Sequence, residues 1–143
     1  MSVQWHKWCL VIILTVPITA IAKMSDRACI AVALHYESRG ESLRGVRSVY
    51  DVILNRIKNS GKSACHVLKQ RGQFAFVNRQ THWKPTYEML FRLDSVKSMK
   101  RVVDKSALWY YSTVIRKPRY LRGMVFVRQV GKHRFYRLKL KEK

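Results

Sequence analysis

Acidic side chains are scarce in this sequence. Its 143 residues include 8 Asp plus Glu against 29 Lys plus Arg, a formal charge of +21 at pH 7. Solubility does not require so large an imbalance. A surface this basic is drawn to polyanions, with encounter rates that fall as salt rises. Nucleic acid, an anionic membrane surface and bacterial envelope polymers all fit, and charge alone does not choose among them. Hydrophobic residues make up 48% of the chain, which excludes a disordered polycation and allows one domain with a buried core.

A long apolar span is missing too. Residues 8–22 form a 15-residue stretch without a charged side chain, shorter than the roughly 20 residues that a membrane helix needs. Lys7 precedes the stretch, Pro17 interrupts it, and Ala20-Ile21-Ala22 ends it in the small-x-small pattern that signal peptidases cut. Charged head, short apolar run and small-residue exit make up a secretory signal. Residues 1–22 are therefore expected to be a signal peptide or an uncleaved signal anchor. Residues 23–143 would be a single exported domain with a basic C-terminal tail. Pro17 argues against the third reading, a buried N-terminal helix.

Cysteines are few as well. Cleavage after Ala22 removes Cys9 and leaves Cys29 and Cys65. In an oxidising compartment this pair is either a disulfide or two separate buried thiols, because sequence does not show whether the Cα atoms approach. No CxxC or HxxxH spacing accompanies His35 or His66, so no metal site is expected.

What is present reads mainly as helix. Ser25-Asp26 combines a capping side chain with an acid in the first turn, a helix start. Residues 28–34 are apolar on every face and predict a helix buried all round, ended by Gly40. Val46, Val49, Tyr50, Ile53, Leu54 and Ile57 recur at helical spacing, predicting an amphipathic helix of about four turns that stops at Asn59-Ser60-Gly61. Residues 63–70 read as a shorter helix and 72–83 as a loop. Pro85 suits a first helical position, and the apolar spacing from Tyr87 to Val103 suggests one long helix, or two broken ones, up to Lys105. Residues 107–114 are aromatic and β-prone, and the stretches 124–130 and 133–138 flank Gly131-Lys132 like a hairpin. The expected fold class is α+β: a mainly helical domain with a small antiparallel sheet near its C-terminus.

With so few acids, a search for a catalytic carboxylate is nearly an elimination. Asp26 starts a helix and Glu142 lies in the tail. Asp51 falls on the polar side of the second helix, between Arg47 and Asn55. Glu88, Asp94 and Asp104 fall on charged faces of the later helical region. Glu37 and Glu41 remain, in His35-Tyr36-Glu37-Ser38-Arg39-Gly40-Glu41. Glu37 follows the all-apolar run, in the last turn of a helix expected to be buried. Desolvation and the negative end of the helix dipole both disfavour its carboxylate, which is what a proton donor near neutral pH needs. The competing reading is an exposed helix-end acid paired with Arg39. Glu41 lies beyond the helix break at Gly40, so the two carboxylates are not expected to face each other.

Tyr36-Glu37-Ser38-Arg39-Gly40-Glu41 resembles the signature of SleB-type (spore-cortex-lytic) cell wall hydrolases. The resemblance continues through Gly45, Val49 and Val52-Ile53-Leu54-Asn55-Arg56, then Cys65-His66-Val67-Leu68 and Gln73-Phe74-Ala75-Phe76. It closes with Ala107-Leu108-Trp109-Tyr110-Tyr111 and Gly131-Lys132-His133-Arg134-Phe135-Tyr136, covering about residues 26–137. His35 departs from the small or apolar residue many members carry there. The resemblance implies a lysozyme-like fold and a muramidase cutting between N-acetylmuramic acid and N-acetylglucosamine. It further implies a lytic transglycosylase that leaves 1,6-anhydro ends, with Glu37 as the catalytic acid. One carboxylate suffices for that route, whereas hydrolysis usually takes two; Glu41 keeps hydrolysis open. No metal or organic cofactor is required.

Glu41, Gln73, Phe74 and Tyr110 are the candidate substrate-binding residues. Each has a plainer reading: Glu41 as a cap or backbone ligand of the second helix, Gln73 as a loop amide, Phe74 and Tyr110 as core aromatics. Tyr110 would alternatively orient Glu37 through its hydroxyl. His133 is expected to satisfy a hairpin backbone group rather than act as a base.

The expected partners are peptidoglycan glycan strands and an anionic envelope surface, with no specific nucleic acid. The protein is expected to be a monomer, in the periplasm or cell wall, bacterial or phage-encoded. The rival is a basic nucleic-acid-binding module without enzymatic activity, favoured by the charge and by the aromatics at 109–111. Export and the lack of a helix-turn-helix, zinc-finger or RNP signature count against it.

Overall fold

Hydroxyl side chains open all four α-helices among the described residues. Ser25, Ser42, Ser63 and Thr86 each accept a hydrogen bond from a backbone amide in the first turn they precede, so the helix starts are set locally. The computed structural model describes residues 24–70, 72–78 and 83–140. The expected signal segment, 1–22, and the end of the basic tail, 141–143, lie outside the described residues.

Helix α1 (Asp26–Glu37) buries every residue from Ala28 to Leu34 except Ile30, which packs partly buried against the same core. It lies against α2 (Leu43–Ser60), α3 (Ala64–Lys69) and α4 (Tyr87–Lys97). An apolar run without a polar face is thus accounted for by neighbours on several sides. Helix α2 runs 18 residues and ends at Gly61, whose φ of 65° is the left-handed conformation glycine adopts cheaply. The expected loop at 72–83 includes a short 3-10 turn, Ala75–Asn78.

A disulfide joins Cys29 of α1 to Cys65 of α3, with Cα atoms 5.2 Å apart and 36 residues of separation. Closing a loop of that length in the unfolded chain contributes about 4 kcal/mol in the chain-entropy treatment.

Strands β1 (Trp109–Ser112), β2 (Val125–Val130) and β3 (His133–Arg137) form an antiparallel sheet in the order β1-β3-β2. The β2–β3 hairpin turns at Gly131-Lys132, as its sequence predicts, with a bulge between Phe126 and Arg128. The architecture is the α+β class expected.

Two expectations fail around α4. Pro85 is not in the first turn, since Thr86 is the N-cap. The helix also stops at Lys97 rather than near Lys105. The cause is a row of polar residues on α2. The Arg47 Nη1 donates to the carbonyls of Val96 (2.8 Å) and Lys97 (3.0 Å), occupying the helix end. Asp51 then accepts the amides of Val102 (2.7 Å) and Val103 (2.9 Å). Asn55 Nδ2 donates to the carbonyls of Asp104 and Ala107, and Arg56 Nε to that of Leu108. Rising positions on α2 therefore hold rising positions of the segment 96–108 and deliver it to β1.

Asp51 falls on the polar side of α2, as the sequence reading has it, but that side is buried. It is 0% exposed and accepts from Arg47 Nε at 3.0 Å. Asp104 likewise sits in the irregular segment, not on a helix. Replacing Asp51 by Ala strands a buried guanidinium and two amides, so we expect a loss of about 3–5 kcal/mol in urea denaturation. A loss below about 1 kcal/mol would show that the row does not hold the segment.

Candidate active site

Helix α1 delivers Glu37 as its last residue. The next residue, Ser38, is fully buried and turns its hydroxyl back onto the Leu34 carbonyl at 2.5 Å, fixing the helix end. From the sheet side, the Tyr110 hydroxyl of β1 donates to Glu37 Oε2 at 2.6 Å. Two segments 73 residues apart meet through this bond.

Arg56 completes the centre. Its guanidinium lies 4.6 Å from the centre of the Phe74 ring and 5.8 Å from that of Tyr110. Besides holding the Leu108 carbonyl, it donates from Nη1 to the Gln73 carbonyl at 2.8 Å. One side chain thus ties α2 to both the loop and the strand that flank Glu37. Burial draws the Arg56 pKa below its ordinary value, while Tyr110, Glu37 and Tyr120 oppose that shift. Burial, and next the Glu37 carboxylate, hold the Tyr110 phenol well above 10. Tyr110 therefore remains a donor at any working pH.

A groove of about 680 Å³ runs over these groups. Tyr36 and Phe76 stack with centres 5.4 Å apart on one side, while Tyr120 and His133 stand on its lining with Tyr110. Gln73 and Phe74 line it as well, Gln73 exposed and Phe74 almost wholly buried. Glu37 is the one carboxylate among the lining residues. A larger cavity of about 1050 Å³ lies elsewhere and has Asp104 as its one acid, exposed and engaged by Ser106. Chemistry, not size, selects the smaller groove. No cluster that would hold a metal ion occurs among the described residues.

Glu41 does not belong to this lining. Its carboxyl is 6% exposed, accepts the Lys132 amide at 3.3 Å and stands 3.7 Å from His133 Nδ1. A Cβ on Gly131 would lie 2.1 Å from Glu41 Oε2, and one on Gly45 2.7 Å. Both glycines leave room for a carboxylate wedged between α2 and the hairpin turn. Glu41 tethers the hairpin turn through the Lys132 amide and stands apart from the groove lining, which fits its plainer reading as a backbone ligand better than that of a substrate contact. His133 also differs from expectation: its buried Nδ1 has no hydrogen-bond partner among the described residues. Arg39 is exposed, its guanidinium 3.4 Å from His35 Nε2.

Sequence reasoning missed Arg56 and Tyr120. Arg56 stood inside a motif, but nothing local separates it from the many other cations. Tyr120 comes from a segment that carried no signal.

Residues 40–136 match the cell wall hydrolase family. The catalytic domain of the Bacillus cereus SleB protein is 25% identical with a TM-score of 0.63, over 78% of this chain and 89% of that one. The catalytic domain of the germination-specific lytic transglycosylase SleB from Bacillus anthracis is 23% identical with a TM-score of 0.66, over 85% and 100%. These likenesses identify the lysozyme-like fold. No curated protein matches the chain. Glu37 lies just ahead of the matched stretch.

Burial lowers the His133 pKa from 6.5, with Glu41 opposing. A base whose folded pKa is depressed contributes stability present above its unfolded pKa and lost as pH falls below it. We expect the His133 ring resonances to titrate below pH 6.5, and His133→Gln to reduce the loss of stability between pH 7 and 5. Titration above 6.5 would contradict the burial.

Proposed function

The chain belongs to the cell wall hydrolase family, and we propose that it cuts peptidoglycan glycan strands between N-acetylmuramic acid and N-acetylglucosamine as a lytic transglycosylase. The supporting observation is a single carboxylate, Glu37, on the lining of a ring-walled groove and oriented by Tyr110 at 2.6 Å.

Glu37, protonated, gives its proton to the glycosidic oxygen as the bond to the muramoyl C1 breaks. The resulting carboxylate then takes the proton of that sugar's 6-hydroxyl as the oxygen attacks C1. The ring closes to a 1,6-anhydro end and Glu37 is protonated again. No water is consumed and no second carboxylate is needed. Glu41, buried as a tether, lends no support to the hydrolytic route.

The environment suits a group that must work in both forms. The helix end and the surrounding rings favour the neutral acid. The Tyr110 hydroxyl and the Arg56 guanidinium favour the carboxylate it becomes. Gln73, exposed on the lining, would hydrogen-bond acetamido or hydroxyl groups, with Phe74 backing the wall. Residues 1–22 would export the domain to the periplasm or cell wall, where this substrate lies.

Protein lacking residues 1–22 should clear a peptidoglycan suspension. Glu37→Gln should lower the rate by about 10²–10⁴ while circular dichroism is unchanged. Tyr110→Phe should lower it by about 10-fold or more, through loss of a hydrogen bond to a charged group. A Gln variant that clears the wall as fast as the parent would remove Glu37 from the mechanism.

A further inference from the structure

The connection between β1 and β2, residues 113–124, holds four cations and no acid. Hydrogen bonds fix it at several points: Thr113 N to the Lys132 carbonyl, Ile115 N to that of Ser112, and Leu121 N to that of Pro118. A 3-10 turn, Arg119–Leu121, seats Leu121 at 0% exposure against Tyr111 and Tyr136. The cations therefore project from an anchored support.

The two sides of this connection differ in chemistry. Ile115, Pro118 and Tyr120 line the groove that holds Glu37. Arg116, Lys117, Arg119 and Arg122, again with Pro118, line a neighbouring cavity of about 390 Å³. Pro118 is common to both. Tyr120 and Glu37 line the same groove, and burial raises the Tyr120 phenol, with Arg56 opposing and Glu37 adding to the shift.

A glycan backbone is uncharged and gives no reason for four cations beside its groove. The muramic acid of that backbone does, because its lactyl ether bears a peptide with free carboxylates. We propose that the cavity of Arg116, Lys117, Arg119 and Arg122 is a subsite for the carboxylates of this acidic peptide stem. The assignment rests on the function proposed above. Planar guanidinium forks match carboxylates in geometry as well as charge. A docking patch for a membrane or a long polyanion would spread cations over an open face. These instead line a concavity that shares a wall with the groove.

The test compares kcat/KM on glycan strands that keep their stems with the same strands after an amidase has removed the stems and the lactyl carboxylates so exposed have been converted to amides. The parent should prefer stem-bearing strands by about tenfold, and the preference should shrink at high salt. It should fall toward unity in the Arg116→Ala/Arg119→Ala/Arg122→Ala variant. It should persist in Lys58→Ala/Lys105→Ala, whose cations border a different cavity. Equal kcat/KM of the parent on both substrates, or an unchanged preference in the triple variant, overturns the stem site while leaving the glycosidic activity standing. Cleavage of neither substrate overturns the activity itself, and this assignment with it.

Discussion

Asp51 has no exposed surface, and the segment that follows α4 is positioned by how its two carboxyl oxygens are satisfied. Arg47 and two consecutive backbone amides share its oxygens. Because those amides belong to a segment without regular structure, the carboxylate supplies the partners that a helix or strand would otherwise provide. The same row on α2 continues through Asn55 to Arg56 and hands the chain to β1 in a fixed register. Without that hand-over, Tyr110 has no reason to arrive beside the end of α1. Fold and site are therefore one construction, with α2 as the common backing.

The chemistry proposed for Glu37 depends on balance rather than on a strong push in one direction. A carboxyl group held firmly neutral would give a proton and fail to take one back. One held firmly ionised would never give it. The end of an apolar helix supplies the first tendency, and Tyr110 with Arg56 supplies the second. Tyr110 suits this task because its own proton is retained. It can orient the carboxylate at every stage without joining the proton traffic.

How much of this was legible beforehand follows from which interactions are local. The apolar run of α1, the capping residue Ser25 and the Gly131-Lys132 turn are short-range signals, and each appears where the sequence places it. Glu37 stood out in the sequence because so few acids competed with it. The burial of Asp51 was not legible because charged and amide residues at four-residue spacing look the same whether they face water or a buried segment 50 residues away. The end of α4 was lost for the same reason, since the groups that stop it reside on α2. Glu41 was visible as an acid, but its wedge between Gly45 and Gly131 exists only once the hairpin has folded back. The nucleic-acid reading rested on the charge and on the aromatics at 109–111, and a family match over residues 40–136 gives both an enzymatic setting instead.

The most direct measurement is the mass of the sugar ends released when the purified protein digests peptidoglycan. A lone carboxylate that recovers its proton from the substrate's own 6-hydroxyl predicts fragments ending in 1,6-anhydromuramoyl residues. Fragments ending in ordinary reducing sugars, heavier by one water, would mean that water is the nucleophile and that a second group activates it. That result would contradict the single-carboxylate mechanism.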